Sequence, residues 1–201
     1  NEPNWNLPEN ALLKELYVRI TNVIREQGDD HILFIEGNWF ANDFTGLAPP
    51  WDDNMVYSPH KYWSPVDDEY LDWLVQDTLT TPTFVGETGE NSNLWYRDAI
   101  KLYEDNGISW AWWPFKRIDA IQPPLSINYN EKYKKIVDYW NSGNDKPSKE
   151  DAIAGLTQLT EDIKFENCFY HKDIIDAMFR QPFSDETVPY AENIIPGIIY
   201  S

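Results

Sequence analysis

The sequence predicts an α/β fold in which parallel strands alternate with helices and form part of a barrel. Four short apolar runs begin near residues 32, 55, 83 and 108, and a helical pattern follows three of them. This spacing is typical of a parallel sheet, and runs that are apolar throughout indicate that both faces of the sheet are covered. The chain has no glycine-rich phosphate loop of the kind that accompanies a doubly wound sheet. Polar or aromatic residues follow all four runs, as at the active face of a barrel: Glu36, His60, Glu87 and Trp113.

Composition narrows the classes of function. The 201 residues can form one domain with a sizeable core. The formal charge of -18, from 16 basic and 34 acidic residues, argues against nucleic acid or an anionic membrane as a partner. Ten Trp and twelve Tyr are a heavy aromatic load, and such rings serve both as core and as platforms for sugars. Cys168 is the only cysteine, which excludes an intrachain disulfide, and no apolar run is long enough to predict a membrane span.

The first helix and the first two strands are predicted in the N-terminal third of the chain. Asn10 is placed to cap a helix that ends before Gly28. The apolar residues of this helix recur on one face, and they are Leu13, Leu16, Tyr17, Ile20 and Ile24. Residues 32–35 and 55–58 are predicted strands, and a loop rich in Asn, Asp, Gly and Pro separates them.

The third strand carries the first candidate acid. Ahead of it, Ser64 is followed by a proline and by Asp67, a pattern that predicts the start of a helix. Residues 83–85 are β-branched or aromatic and predict a short buried strand. We expect Gly86 to let the backbone turn, so that Glu87 lies at the carboxyl end of the strand. That end is where barrel enzymes carry out their chemistry.

Helices dominate the remainder of the sequence. A helix from about residue 94 to residue 106 is closed by Gly107, and an apolar strand follows at residues 108–113. The next helix presents apolar residues at positions i, i+3, i+4 and i+7, which are Tyr133, Ile136, Val137 and Trp140. After a polar break, Ser148 is placed to begin another helix.

Two acids, Glu2 and Glu87, are predicted to meet at one mouth of the barrel. Paired carboxylates suit glycosidic bond cleavage, because one can protonate the leaving oxygen while the other attacks the sugar carbon. The retaining version of this reaction needs the pair roughly 5 to 5.5 Å apart. Beside the pair, Asn1 can bind a sugar hydroxyl. Tyr62 can donate to the nucleophile and hold it ionised, and His60 can orient a neighbour or the leaving group.

Aromatic residues and a third acid complete the predicted site. Trp113 can form the floor of a sugar site, and Trp39, with Trp63 or Trp51, can line the cleft. Glu36 is predicted to contact the substrate or to support the structure rather than to take part in catalysis. Metal binding is disfavoured, because no two histidines stand at the i, i+4 spacing of helical zinc ligands.

Four short motifs in a set order resemble glycoside hydrolase family 5, in its cellulase type. They are Asn1-Glu2-Pro3 before a helix, the segment from Tyr57 to Tyr62, Val85-Gly86-Glu87, and the segment from Trp113 to Lys116. Their order is similar to that of the fourth, sixth, seventh and eighth strands of the barrel in that family. The resemblance covers residues 1 to about 141.

The resemblance implies roles for the candidate residues. Glu2 would be the acid/base and Glu87 the nucleophile, while the positions that match His60, Tyr62 and Trp113 line the central sugar site. Members of the family are secreted retaining enzymes that act on β-glucans, mannans or related chains without a catalytic metal. The resemblance therefore implies an endo-β-glycanase for β-1,4-glucan or a related polysaccharide, with no cofactor. It also implies a secreted, cell-surface or periplasmic location.

By the same resemblance, the sequence holds the C-terminal half of a TIM (β/α)8 barrel with a helical extension. We expect residues 1–141 to form this half, residues 142–189 a helical extension and linker, and residues 190–201 the start of a carbohydrate-binding module. The expected partners are a β-linked polysaccharide or oligosaccharide, and either the N-terminal half of the barrel or another copy of the chain. Because a half barrel fixes Glu2 poorly, we expect little or no hydrolase activity from this chain alone.

Two alternatives from other classes remain open. The chain can be a non-catalytic carbohydrate-binding protein that uses an aromatic cleft. It can also be an α/β assembly domain that pairs through strand edges left open near Ile32 and Ile108.

Overall fold

The computed structural model of the protein describes residues 1–4, 10–75 and 81–179. These residues divide into two compact units, one built mainly from Asn1–Trp113 and the other from Pro114–Ala177. Residues 180–201, which contain the end of the predicted linker and the predicted start of a carbohydrate-binding module, lie outside the described residues. The domain boundaries given by the sequence therefore stay predictions.

The first unit contains five short strands, and all of their pairings are parallel. In chain order they are β1 (Leu33–Ile35), β2 (Met55–Tyr57), β3 (His60–Lys61), β4 (Phe84–Gly89) and β5 (Ser109–Trp113). β1 pairs with β2, and β4 lies between β3 and β5. A parallel bridge between Tyr57 and Thr83 links the end of β2 to the segment that leads into β4.

The helices of this unit are α1 (Ala11–Glu26), α2 (Asn38–Ala41), α3 (Asp68–Val75) and α4 (Asn93–Asp105). α2 is a single irregular turn, because Trp39 and Phe40 do not have helical φ and ψ angles. α1 precedes β1, α3 separates β3 from β4, and α4 separates β4 from β5. Parallel strands that alternate with helices confirm the predicted α/β fold class.

Two apolar clusters hold the strands of the first unit. One packs β4 against α3 and α4 and consists of Tyr70, Leu74, Val85, Ala99, Tyr103 and Ile108. The other packs β1 and β2 against the loop between them and consists of Ile35, Phe44, Leu47, Met55 and Tyr57. In the first cluster, the hydroxyls of Tyr70 and Tyr103 share a hydrogen bond, which satisfies two buried polar groups.

Leu74 provides a test of this packing. Its side chain is 1% exposed within the cluster between α3 and α4. Replacement by Ala removes buried methyl groups and leaves a cavity, so we expect Leu74→Ala to lower the free energy of unfolding by about 2–5 kcal/mol. Leu94→Ala, at a mostly exposed side chain of α4, should change it by less than about 0.5 kcal/mol. Urea unfolding followed by circular dichroism measures both, and equal losses would contradict this description of the core.

Two helix starts differ from the prediction. Asn10 precedes α1, but its side chain donates to two carbonyl oxygens of the loop after α2, at 2.9 and 3.1 Å, instead of capping the helix. Ser64 does not begin α3, and its backbone lies in the left-handed region with φ 105°. Asp67 takes its place, because its carboxylate accepts from the backbone N–H of Tyr70 at 3.0 Å.

Gly86 does not turn the chain, contrary to the prediction. β4 continues through this glycine to Gly89, so Glu87 lies within the strand and not at its end. Glycine is needed at this position because there is no room for a side chain. A Cβ atom on Gly86 would collide with Ser58 Oγ and would lie 3.1 Å from His60 Nε2. The close approach of a neighbouring side chain, rather than a turn, explains the residue.

The chain from Pro114 onward contains a second small sheet and further helices. In order, the elements are β6 (Lys116–Ile118), β7 (Leu125–Ile127), α5 (Glu131–Ser142), α6 (Lys149–Asp162), β8 (Phe169–Tyr170) and α7 (Lys172–Phe179). β6 pairs with β7 in parallel, and β7 pairs with β8 antiparallel. Ser148 caps α6 as predicted, since its hydroxyl accepts from the N–H of Asp151 at 3.0 Å. Within the described residues, no helix is both long and apolar enough to cross a membrane.

Candidate active site

Two paired strands bring three of the predicted site residues together. β3 pairs with β4 so that His60 is in register with Glu87. Tyr62 directly follows β3, and its hydroxyl reaches the Glu87 carboxylate. The sequence predicted only that His60 follows the strand at residues 55–58. A two-residue strand occupies this place, and its backbone pairing is what fixes the imidazole beside the acid.

Glu87 accepts hydrogen bonds on both of its carboxylate oxygens. The Tyr62 hydroxyl donates to Oε2, and Asn1 Nδ2 donates to Oε1 at 3.2 Å. Burial of Tyr62, followed by its hydrogen bond to Glu87, raises the pKa of the phenol. Tyr62 therefore keeps its proton and remains a donor at neutral pH. The two bonds orient the carboxylate, as is required of a group that attacks a bound sugar.

His60 lies between the two predicted catalytic acids. Its side chain is 3% exposed, and Nδ1 lies 2.8 Å from Glu2 Oε1 and 3.4 Å from Glu87 Oε2. One oxygen of each acid lies within 4.8 Å of the other. This upper bound on the nearest oxygens is compatible with carboxyl groups roughly 5 to 5.5 Å apart, as in retaining glycosidases, rather than roughly 6.5 to 9.5 Å apart, as in inverting ones.

The same three side chains can also be considered as metal ligands. Imidazole and carboxylate groups bind divalent cations, and Glu2, His60 and Glu87 place their ligand atoms within 4.8 Å of one another. Hydrogen bonds within the cluster already account for its geometry, however, since His60 Nδ1 contacts Glu2 and both Glu87 oxygens accept from neighbours.

A cavity of about 390 Å³ opens beside Glu2 and His60. The other residues that line it are Trp39, Phe40, Asn42, Lys61, Tyr62, Trp63 and Trp73. Trp39 and Trp63 are 59% and 72% exposed. Exposed flat rings beside a pair of acids are suited to stacking against a sugar. Glu87 does not line this cavity, so a ligand bound in the cavity would lie on the side of Glu2.

Lys61 supports the aromatic wall of this cavity. Its ammonium lies 4.0 Å from the ring centre of Trp73 and 5.4 Å from those of Trp63 and Tyr70. Burial lowers the pKa of this ammonium. Cation–π attraction to several rings holds them around one point, so the wall is formed before any ligand arrives.

The turn that presents Trp39 has an unusual backbone. Trp39, Phe40 and Ala41 have φ of 54°, 58° and 60°, in the left-handed region that residues other than glycine rarely adopt. The N–H of Phe40 donates to the carbonyl oxygen of Pro3 at 3.0 Å. This bond ties the turn to the segment that carries Glu2. The strained turn thus positions Trp39 at the cavity beside the predicted acid.

Trp113 is placed apart from the other predicted site residues. It is the last residue of β5, is 49% exposed, and pairs with Gly89, two positions beyond Glu87 on β4. It does not line the cavity beside Glu2. Its neighbour Trp112 packs on Tyr96 of α4 at 4.4 Å, so the two tryptophans point to opposite sides of the strand. This leaves Trp113 on the side of the strand away from α4.

The structure therefore gathers most of the predicted site residues at one place. Asn1, Glu2, His60, Tyr62 and Glu87 are joined by direct contacts. Trp39 lines the adjoining cavity, and Trp113 ends the next strand. Their roles in catalysis and substrate binding stay predictions.

Glu36 belongs to the same cluster, although the sequence suggested only substrate contact or support. Its carboxylate accepts a hydrogen bond from the backbone N–H of Glu2, and Oε1 lies 3.6 Å from His60 Nε2. The Tyr17 hydroxyl donates to the carbonyl oxygen of Glu36 at 3.0 Å. The sequence signal for Glu36 is its position directly after a predicted strand. That position does not show which groups the Glu36 side chain contacts.

Comparison with known protein families gives one match. The model of the family Cellulase (glycosyl hydrolase family 5) matches residues 1–117, which is more than half of the chain. The matched region contains β1 to β5 and all of the predicted site residues. No curated protein matches the chain at a significant level.

Several solved structures resemble the chain in part. One described as an endoglucanase is 25% identical, with a TM-score of 0.46, over 56% of this chain and 49% of that one. Endoglucanase Cel5A from the hyperthermophilic Thermotoga maritima is 23% identical, with a TM-score of 0.46, over 57% and 50%. The Clostridial cellulose synthase subunit Z (CcsZ) from Clostridioides difficile is 17% identical, with a TM-score of 0.51, over 89% and 58%. The chain thus spans about half the length of the first two structures.

Proposed function

The chain belongs to glycosyl hydrolase family 5, the cellulase family, and from this premise we propose that it is a retaining endo-β-glycanase. Family membership supports the hydrolysis of glycosidic bonds. We assign β-1,4-glucan or a related polysaccharide as the substrate. Since such polymers do not enter cells, the proposal includes a location outside the cytoplasm, by secretion or at the cell surface.

In the proposed mechanism, Glu87 and Glu2 act on opposite sides of one bond. Glu87 attacks the anomeric carbon and forms a glycosyl-enzyme ester, while Glu2 gives its proton to the departing oxygen. A water molecule then attacks the same carbon, its proton passes to Glu2, and the ester bond to Glu87 breaks. Two displacements at one carbon keep the β configuration. The observation that carries this proposal is the separation of the two carboxylates, whose oxygens lie within 4.8 Å.

The neighbouring groups have supporting roles in this proposal. Tyr62 and Asn1 hold the attacking carboxylate of Glu87 through its two oxygens. The aromatic cavity opens beside Glu2, which protonates the leaving group, so we assign the cavity to the sugar that departs. Trp39 would stack on this sugar.

Covalent labelling tests the proposal against the alternative of a non-catalytic sugar-binding protein. The reagent is an activated fluoro-cellobioside with a dinitrophenolate leaving group, which departs without a proton and leaves a slowly hydrolysed ester. We expect the intact mass of the chain to rise by one fluorocellobiosyl group, which is a disaccharide. Reversible binding without a change in mass would favour the alternative, which the exposed Trp39 and Trp63 also permit.

We propose that hydrolysis of a polysaccharide requires more of the barrel than the described residues provide. Within those residues, β1 pairs only with β2, and β5 pairs only with β4, so both outer strands have a free edge. Apolar side chains at the β1 edge and on α1 are also exposed, among them Phe34 at 53% and Ile20 at 46%. We propose that a complementary half barrel, or a second copy of the chain, covers these edges.

This partnership predicts that the purified 201-residue chain is inactive as a monomer. We expect no detectable release of reducing ends from soluble β-glucan, because small misplacements of reacting groups cost about 100-fold in rate. Labelling by the activated fluoro-cellobioside needs only a single turnover and a leaving group that departs without a proton, so it stays measurable despite this cost. Size-exclusion chromatography with light scattering identifies the monomer fraction, which is then assayed. Turnover by that fraction would contradict the need for a partner.

A further inference from the structure

We propose that Glu36 is a positioning residue for Glu2, acting through the backbone N–H of Glu2 and through the His60 ring. The inference rests on the proposed function, in which Glu2 is the acid and base. It assigns to Glu36 no contact with the reacting atoms.

The backbone of Glu2 needs an external partner to keep its conformation. Its φ is 50°, in the left-handed region, and glutamate has none of the freedom that makes glycine suited to this region. The Glu36 carboxylate accepts a hydrogen bond from the N–H of this residue. A carboxylate acceptor makes this bond stronger than one between neutral groups. It therefore holds the main chain from which the catalytic side chain extends.

The His60 ring carries the second contact. One edge of the ring places Nδ1 2.8 Å from Glu2 Oε1, and the other edge places Nε2 3.6 Å from Glu36 Oε1. The longer distance exceeds a hydrogen bond, so the contact with Glu36 is electrostatic. Because Gly86 has no Cβ, the Nε2 edge has room to lie against β4. The ring is thus held between two carboxylates.

Glu36 is itself fixed by the fold. It directly follows β1, and its carbonyl oxygen accepts from the Tyr17 hydroxyl of α1 at 3.0 Å. Burial, followed by the charge of Glu36, raises the pKa of Tyr17 to about 12, which keeps this donor protonated at neutral pH. A carboxylate that a strand and a helix fix in this way can in turn hold in place the groups that it contacts.

The test separates the two steps of the labelling reaction. Formation of the Glu87 ester from the dinitrophenyl reagent needs no proton donor, so it should not depend on the position of Glu2. Removal of the sugar by water needs Glu2 as a base. We expect Glu36→Gln, which keeps an acceptor oxygen but removes the charge, to form the ester at the wild-type rate within about twofold. The removal should be slower by between about tenfold and 100-fold.

Azide provides a readout that general damage to the structure would not give. It attacks the ester as an anion and loses no proton, so it should restore rapid removal in Glu36→Gln. Glu15→Gln, at an exposed position of α1, serves as the matched control and should behave as wild type in both steps. Combining Glu36→Gln with Glu2→Gln should slow removal no further than Glu2→Gln alone.

The outcomes distinguish this inference from the proposed function. Wild-type protein that takes no label overturns the proposed function and the inference with it. If wild type is labelled but Glu36→Gln loses the sugar at the wild-type rate, the inference alone is wrong. It is also wrong if formation and removal slow equally, or if azide fails to restore removal, because Glu36 would then support the whole fold. Unchanged circular dichroism of the variant confirms that the comparison is made on folded protein.

Discussion

We expect Glu87→Gln to abolish covalent labelling of the chain by the activated fluoro-cellobioside. The amide that replaces the carboxylate has the same shape, but it cannot attack the anomeric carbon as an anion. The amide oxygen can still accept from Asn1, and the amide NH₂ can donate to the Tyr62 hydroxyl in place of the present bond, so the fold should be kept while the nucleophile is lost. Intact mass spectrometry over a time course measures the effect.

The control for this variant is Glu90→Gln, three positions along the chain and exposed. It should take up the label at the wild-type rate, since Glu90 has no assigned role in the reaction. Labelling of Glu87→Gln at an unchanged rate would show that another group is the nucleophile. That result would remove the basis for the retaining mechanism.

Glu2→Gln should slow the second step of the reaction, removal of the sugar, but not the first step, formation of the ester. Ester formation from a reagent with a good leaving group continues, because no proton has to be supplied. Removal of the sugar should slow by about 10²- to 10⁴-fold, the usual range for loss of a general base. The half-life of the labelled protein, followed by mass spectrometry after the free reagent is removed, gives this factor.

A matched control for Glu2→Gln is Glu104→Gln, at an exposed side chain whose one described hydrogen bond is with Trp110. Its label should decay at the wild-type rate. If Glu2→Gln also decays at that rate, Glu2 does not serve as the base. The contact of Glu2 with His60 would then be structural.

The parallel strands could be predicted from the sequence because they are short apolar runs that recur at a regular spacing with helical patterns between them. Residues 33–35 and 55–57 are apolar, and these residues form β1 and β2. The meeting of the two acids could also be predicted, although Glu87 lies within β4 rather than at its end. The contacts of His60 with both acids agree with that expectation.

What could not be predicted depends on contacts between distant parts of the chain. Gly86 has the sequence signal of a turn, yet it is glycine because the side chains of Ser58, between β2 and β3, and of His60, on β3, fill the space beside it. Asn10 has the side chain of a helix cap, but carbonyl groups more than 30 residues away take its hydrogen bonds. Nothing local to Glu36 shows that the backbone of Glu2 lies against it.

The most direct test of the central claim is to locate the sugar on the labelled wild-type chain by peptide mapping. The account predicts attachment to Glu87, with Glu2 and Glu36 unmodified. Attachment to Glu2, to Glu36 or to a residue outside this cluster would contradict it.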